Sequence, residues 1–267
     1  FLLANVTILE PAKPFVNWLI AVLTPFLIFA QLLLTFCKIE PKELLPKAWH
    51  VWLLSIQAVS SGIIALLLIF CPMEEAYRDI FEGAMVCLIC PTATAAAVIT
   101  GKLGGSASTL TTYTLLSNVL AAIAVPLVFP LVEPHADITF VVAFLKILSK
   151  VFPLLLAPFF IALLFRYYIP SVHRLLSKYH GVAFYLWAVA LTIVTGQTVR
   201  SLVTAAADVS IEIMIALAGL ATCCLQFYFG KRIGSAYHDR ISAGQALGQK
   251  NTVLAIWMAV TYLNPLS

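Results

Sequence analysis

Apolar residues run along this chain in eight blocks, 15–36, 49–70, 82–101, 108–132, 151–168, 182–199, 209–230 and 241–260, closed mostly by charges, Pro or Gly. A helix needs roughly 20 such residues to cross the hydrocarbon core of a bilayer, so each block predicts one crossing. Between the fourth and fifth blocks, Lys146 and Lys150 stand at i,i+4 beside Phe140, Val141, Phe144 and Leu148. That spacing predicts an amphipathic helix over 138–150 lying in the membrane interface, with the crossing itself starting at 151.

Two blocks depart from the simple pattern. The third contains Cys90-Pro91-Thr92-Ala93-Thr94, where Pro91 removes a backbone donor and obstructs the carbonyl four residues back, so the helix breaks there. The eighth contains Gly244-Gln245-Ala246-Leu247-Gly248-Gln249-Lys250-Asn251-Thr252, which is too polar for a helix facing lipid. Unwound backbone inside a membrane needs partners from protein or a wet cavity, so both breaks are expected to line one cavity. They occupy corresponding places in two halves, 1–133 and 134–267, which predicts an inverted-repeat transporter with a midplane substrate site. Thr92, Thr94, Gln245, Gln249 and Asn251 supply hydroxyls and amides to that site. Thr114 and Asn118, one turn apart on the next helix, share a face with it. Gln57, Ser117 and Gln197 are candidates for its surroundings, and Gln226 for a hydrogen bond between helices.

Composition removes the soluble alternatives. Of 267 residues, 62% are hydrophobic and 10% charged, far more apolar surface than one soluble core hides. The net charge of +4 is spread over loops with no basic cluster, which argues against a nucleic-acid partner. The charges alternate by side. Lys38, Lys42, Lys47, Lys102, Arg166, Arg174, Lys178, Lys231, Arg232 and Arg240 fall on one side, with Glu40, Glu43 and Asp239. Lys13, Arg78 and Arg200 fall on the other with nine carboxylates, including Glu10, Asp79, Glu82, Glu133, Asp137 and Asp208. The positive-inside rule makes the first side cytoplasmic and puts the start of the chain outside an integral membrane protein of the cell or plasma membrane.

All twelve carboxylates then sit in loops or at span ends, and Lys250 is the charge left in mid-span. A charge there costs at least about 2.5–3.5 kcal/mol, so Lys250 faces a polar cavity, binds an anion or is neutral. The histidines His50, His135, His173, His180 and His238 lie at span ends or in loops, and no aspartate is buried in a span, so intramembrane hydrolysis is not expected. Of six cysteines, Cys87 and Cys90 have a spacing seen in metal sites but lack a partner pair, so neither metal nor cofactor is expected. No ring of charges or repeated filter suggests a channel. A non-transporting ligand-binding receptor stays open as the alternative of another class. Asn5-Val6-Thr7 fits a glycosylation sequon and carries no weight.

The arrangement resembles the bile acid:sodium symporter (BASS) family. The specific stretch runs from Asp239-Arg240 through Gly248-Gln249-Lys250-Asn251 to Asn264-Pro265, which is similar to the family's DR, E-x-G-x-Q-N and NP pattern. Phe144 to Ala162 resembles its entry to helix six. The resemblance implies panel and core domains, two crossing broken helices, and an organic anion docked beside two sodium ions. It also implies that the first block here is family helix two, that helix one is lacking from the chain, and that helix ten would begin where the sequence stops. The chain begins with neither Met nor a basic signal region, so it is expected to start after a lost segment.

Carried over position by position, the sodium ligands are missing. The family's Ser-Asn pair falls on Ala96 and Ala97, its ninth-helix glutamate on Ala246, and the following glutamine on Lys250. Gln57 resembles the family glutamine of helix three, Thr114 and Asn118 fall near its helix-five hydroxyls, and Thr94 and Asn251 match positions near the substrate that are kept. Sodium is a hard cation that needs several oxygen ligands, and an ammonium nearby opposes it. The expectation is a secondary transporter of a small organic anion, working by alternating access without sodium, with Lys250 replacing the cation. Lys250 then serves either as a permanent internal charge or as a group that loses its proton in one conformation. A sodium-coupled bile acid or organic anion symporter is the alternative. Substrate identity, direction and oligomeric state are not specified.

Overall fold

The computed structural model describes residues 13–38, 40, 42, 44–134, 138–179, 181–204 and 209–263. The Asn5 triplet, Glu10, Glu43, His135, Asp137, His180, Asp208 and the Asn264-Pro265 pair lie outside them. The described residues form eleven helices: α1 (Lys13–Lys38), α2 (Ala48–Phe70), α3 (Glu75–Ile89), α4 (Ala96–Lys102), α5 (Ala107–Val132), α6 (Phe140–Tyr168), α7 (Pro170–Lys178), α8 (Val182–Thr204), α9 (Val209–Ala236), α10 (Arg240–Gly248) and α11 (Thr252–Tyr262). Six of them, α1, α2, α5, α6, α8 and α9, are long and apolar enough to cross a membrane. The third and eighth blocks are each two short helices, α3 with α4 and α10 with α11, interrupted where Pro91 and the Gly248–Thr252 segment lie. This is an all-helical polytopic membrane protein.

Two expected boundaries are corrected. The interfacial helix over 138–150 does not stand apart from the crossing at 151–168. The two form the single 29-residue helix α6. Its buried stripe, Ala143, Ile147, Val151, Leu154, Pro158 and Ala162, advances by three or four residues without interruption, so one face packs along its whole length on α5 and α1. The lysines that suggested an interfacial helix, Lys146 and Lys150, lie on the exposed side of that face. The third block also starts earlier than 82. Helix α3 begins at Glu75 and buries Asp79 and Glu82.

A buried acid needs a partner, and Arg78 supplies one. Its Nε lies 3.1 Å from Glu82 and 3.0 Å from Glu133. Its guanidinium also donates to the Leu68 carbonyl at 3.3 Å and to the Val132 carbonyl. One arginine thus ties the ends of α2 and α5 to the start of α3.

Two cores hold the bundle. The larger joins α1, α3, α5, α6, α8 and α11 through Leu27, Leu32, Met85, Val125, Phe129, Leu155, Val194 and Leu254. The smaller joins α2, α4, α5 and α10 through Trp49, Leu53, Ala96, Leu110, Tyr113 and Leu247, with the Trp49 and Tyr113 rings stacked 6.0 Å apart. Helices α9 and α10 pack as a hairpin whose closeness depends on glycine. A Cβ at Gly230 would meet the Ala243 carbonyl at 2.6 Å, and one at Gly234 the Asp239 carbonyl at 2.7 Å.

Candidate functional site

The two unwound segments meet. Thr92 and Lys250 form an antiparallel bridge. The Ala93 amide donates to the Gln249 carbonyl at 2.9 Å, and the Asn251 amide to the Pro91 carbonyl at 2.8 Å. Each break therefore satisfies backbone groups of the other, which meets the demand that buried polar backbone be paired.

The helix ends left at the crossing are closed by side chains. The last carbonyls of an α-helix have no partner within it, and Pro91 removes the donor that would have served Cys87. Here the Cys87 carbonyl accepts from Gln226 Nε2 at 3.4 Å. The Leu88 carbonyl accepts from Lys250 Nζ at 3.2 Å. Gln57 Nε2 donates to Ile89 at 2.9 Å and to Cys90 at 3.3 Å. Two helices and the unwound segment before α11 thus supply donors to the end of α3, and one donor is an ammonium set against the negative end of the helix dipole. The other break is served in return, because Thr92 Oγ1 donates to the Ala246 carbonyl at 2.6 Å near the end of α10. The two bridge partners, Thr92 and Lys250, each cap the other's helix. Asn251 caps α11, its Oδ1 accepting the Leu254 amide at 3.1 Å.

Around this crossing the structure places Thr92, Thr94, Gln249, Lys250, Asn251, Gln57 and Ser117 together. Ser117 Oγ accepts the Thr92 amide at 3.2 Å, and Tyr113 donates to Gln57 Oε1 at 3.2 Å. Thr114 spends its hydroxyl on its own helix, donating to Leu110 at 3.0 Å. Asn118, seven residues along α5 from Thr111, is fully buried, and neither of its amide atoms has a partner among the described residues. Gln249 Oε1 and Asn251 Nδ2 are likewise buried and unpaired, an unusual set, since buried polar atoms are nearly always bonded.

Gln31 is the residue that sequence reading passed over. It sits in α1 at 0% exposure and accepts from Thr94 Oγ1 at 3.1 Å, with Nε2 unpaired. The signal was available, as an amide in the middle of the apolar block 15–36.

Two candidates lie elsewhere. Gln197 lines a separate cavity with Thr24, Lys150 and Trp257. Gln245 faces a third cavity beside Gly104, Lys231 and Arg240.

A cavity of about 630 Å³ opens against the crossing. It is lined by Thr94, Ala95 and Ala97 from the third block, by Thr35 and Lys38 of α1, and by Lys102, Thr111 and Tyr185. Its lining carries two lysines and, among the described residues, no carboxylate, so its electrostatics favour an anion. Lys250 is half-buried and does not line it. The ammonium instead lies against the end of α3.

The positions that the family resemblance assigns to sodium ligands carry no side-chain oxygen. Ala96 is fully buried, Ala97 offers a methyl to the cavity, and the Ala246 carbonyl is already engaged by Thr92. Among the described residues no three His, Cys, Asp or Glu side chains converge on one point.

Residues 15–205 of the chain match the profile of the Sodium Bile acid symporter family. No curated protein sequence matches the chain.

Proposed function

Since the chain belongs to the Sodium Bile acid symporter family, whose members are transporters and not enzymes, we propose that it carries a small organic anion by alternating access, without sodium, Lys250 standing where the cation would. The observation that carries this reading is the Lys250 ammonium on the Leu88 carbonyl at the heart of the paired breaks. A positive charge at the end of a half-helix is what a bound cation provides there. Here it is covalently attached, and the positions that would ligate sodium carry Ala96, Ala97 and Ala246.

The halves 1–133 and 134–267 are read as inverted repeats, and the 630 Å³ cavity as the binding site in a state open toward the basic loops. Those loops share one end of the bundle: Lys47 pairs with Asp239 at 2.9 Å, Arg166 lies 3.8 Å from Glu40, and Lys38 and Lys102 line the same cavity. With that end cytoplasmic, the start of the chain lies outside.

The substrate's charge is assigned to Lys38 and Lys102, and its polar contacts to Thr35, Thr94 and Thr111, all of which line the cavity. Thermal unfolding in detergent across a panel of small carboxylates, sulfonates and a conjugated bile acid tests this, because a ligand stabilises the state it binds. At least one anion is expected to raise the midpoint, and Lys38→Ala with Lys102→Ala to weaken that ligand by about tenfold or more. Arg174→Ala, on the exposed helix α7, leaves it unchanged. Equal stabilisation of wild type and both lysine variants contradicts the assignment. A sodium-coupled symporter is the second reading, favoured by the family match, and sodium-dependent uptake separates the two.

A further inference from the structure

The cavity that Gln245 faces, of about 760 Å³, shares no lining residue with the cavity at the crossing. It is lined by Lys231, Ser235, His238, Arg240 and Gln245 and by the backbone of Gly104 and Gly105. We propose that it binds a phosphate group, carried by an anionic phospholipid headgroup or by a free phosphate compound, and that it is separate from the transport site.

Three independent features of the cavity converge on an anion. The first is charge. Asp239 is the single carboxylate in its lining, and its Oδ2 is already taken by Lys47 Nζ at 2.9 Å and Trp49 Nε1 at 3.3 Å. Among the described residues neither Lys231 nor Arg240 has a carboxylate within ion-pairing distance, and Lys231 Nζ instead lies 5.8 Å over the Phe227 ring.

The second is the start of α10. Asp239 is its N-cap residue, yet it makes no side-chain cap bond because its carboxylate is turned to Lys47 and Trp49. The first-turn amides of a nine-residue helix are therefore presented beside a guanidinium and an ammonium. That combination suits a tetrahedral dianion or diester: amides and dipole at the helix start, a planar fork from arginine, a point charge from lysine.

The third is that the walls are held in place. A Cβ at Gly244 would meet Lys231 Cγ at 2.7 Å, and one at Gly105 would meet Thr100 and Ile241 side chains at 2.7 and 2.9 Å. Gly104 has a φ of +83°, a turn that glycine adopts without strain. Ser242 Oγ accepts the Ser106 amide at 2.9 Å, tying the glycine loop to α10. Position favours the lipid source. Trp52 donates to the Tyr237 hydroxyl at 3.0 Å with both rings exposed, an aromatic pair of the kind that sits at headgroup level, where basic clefts between helices take anionic headgroups.

The test is ligand retention and thermal stability of the purified full chain with phosphatidylglycerol, phosphatidylcholine, glycerol phosphate and inorganic phosphate, each alone. Wild type is expected to retain phosphatidylglycerol over phosphatidylcholine by native mass spectrometry and to unfold at higher temperature with it. Retention should weaken about tenfold in Arg240→Gln and fall with added salt. The charge-keeping variant Arg240→Lys loses the fork and should fall between. Lys231 packs on Gly244 and lies 5.8 Å over the Phe227 ring, so Lys231→Gln is scored by retention at matched foldedness, with Arg174→Gln as a surface control. Stabilisation by glycerol phosphate or inorganic phosphate at millimolar concentration assigns the site to free phosphate. Stabilisation by the lipid alone assigns it to a headgroup. Equal retention of both lipids with no response to either phosphate, or an Arg240→Gln chain that behaves as wild type, overturns the proposal. Uptake of the organic anion is measured separately, since the proposed transport cavity contains none of these residues.

Discussion

Thr92 and Lys250 make the crossing a reciprocal structure. Each contributes backbone to the bridge and a side chain to the other's helix end. Threonine replaced by its isostere valine removes the donor while keeping the volume. Thr92→Val leaves the Ala246 carbonyl without that donor, which in a membrane interior is worth about 0.5–2 kcal/mol. The expected outcome is a lower unfolding midpoint than for Thr192→Val, whose hydroxyl bonds its own helix on the exposed surface. Equal midpoints would show that the side-chain cap contributes nothing.

Lys250 differs from a snorkelling lysine in where its charge ends. The ammonium stops at a helix carbonyl beside Cys87 and Cys90, inside the protein. Sequence alone left it three options, a cavity, an anion or neutrality, and it did not distinguish a fourth, the carbonyl end of a helix broken by Pro91. That option depends on which face of α3 meets α11, a tertiary fact no local pattern carries.

At the scale of elements, the breaks were legible because they violate a rule that lipid enforces. Proline in mid-span, and glycine with amides in mid-span, have no lipid-facing solution. The pairing of the breaks followed from the same rule, whereas their hydrogen-bond register did not. The junction at 138–151 was misjudged because surface lysines on α6 mimic an interfacial helix, while the evidence for continuity, the stripe from Ala143 to Ala162, runs through Pro153 and Pro158. Asp79 and Glu82 were read as boundary markers, and Arg78 lets the helix run past them. Gln31 was legible and Asn118 was found, yet their depth depends on helices packing face to face.

Close packing at the second break gives a prediction at this scale. A Cβ at Gly248 would fall 2.5 Å from the Phe227 ring, while one at Gly219 meets nothing within 4 Å. Overpacking of this kind costs about 1–3 kcal/mol. Gly248→Ala is expected to unfold at lower temperature than wild type in detergent, and Gly219→Ala at the wild-type temperature or above it. An unaffected Gly248→Ala chain would mean that the turn into the crossing is not packed against α9.

For the molecule as a whole, the layout is a bundle tied at one end by Arg78 and opened at the other by a cavity with two lysines. The crossing lies between them, with the Lys250 ammonium against the end of α3. On the proposed reading Lys250 takes the place of a coupling cation, so substrate movement is expected to follow the anion's own gradient. The direct measurement is initial uptake of a radiolabelled anion, chosen as one that stabilises the protein, into proteoliposomes with sodium or choline as the sole external cation. Equal rates in the two salts are the predicted result; uptake in sodium that disappears in choline would contradict it.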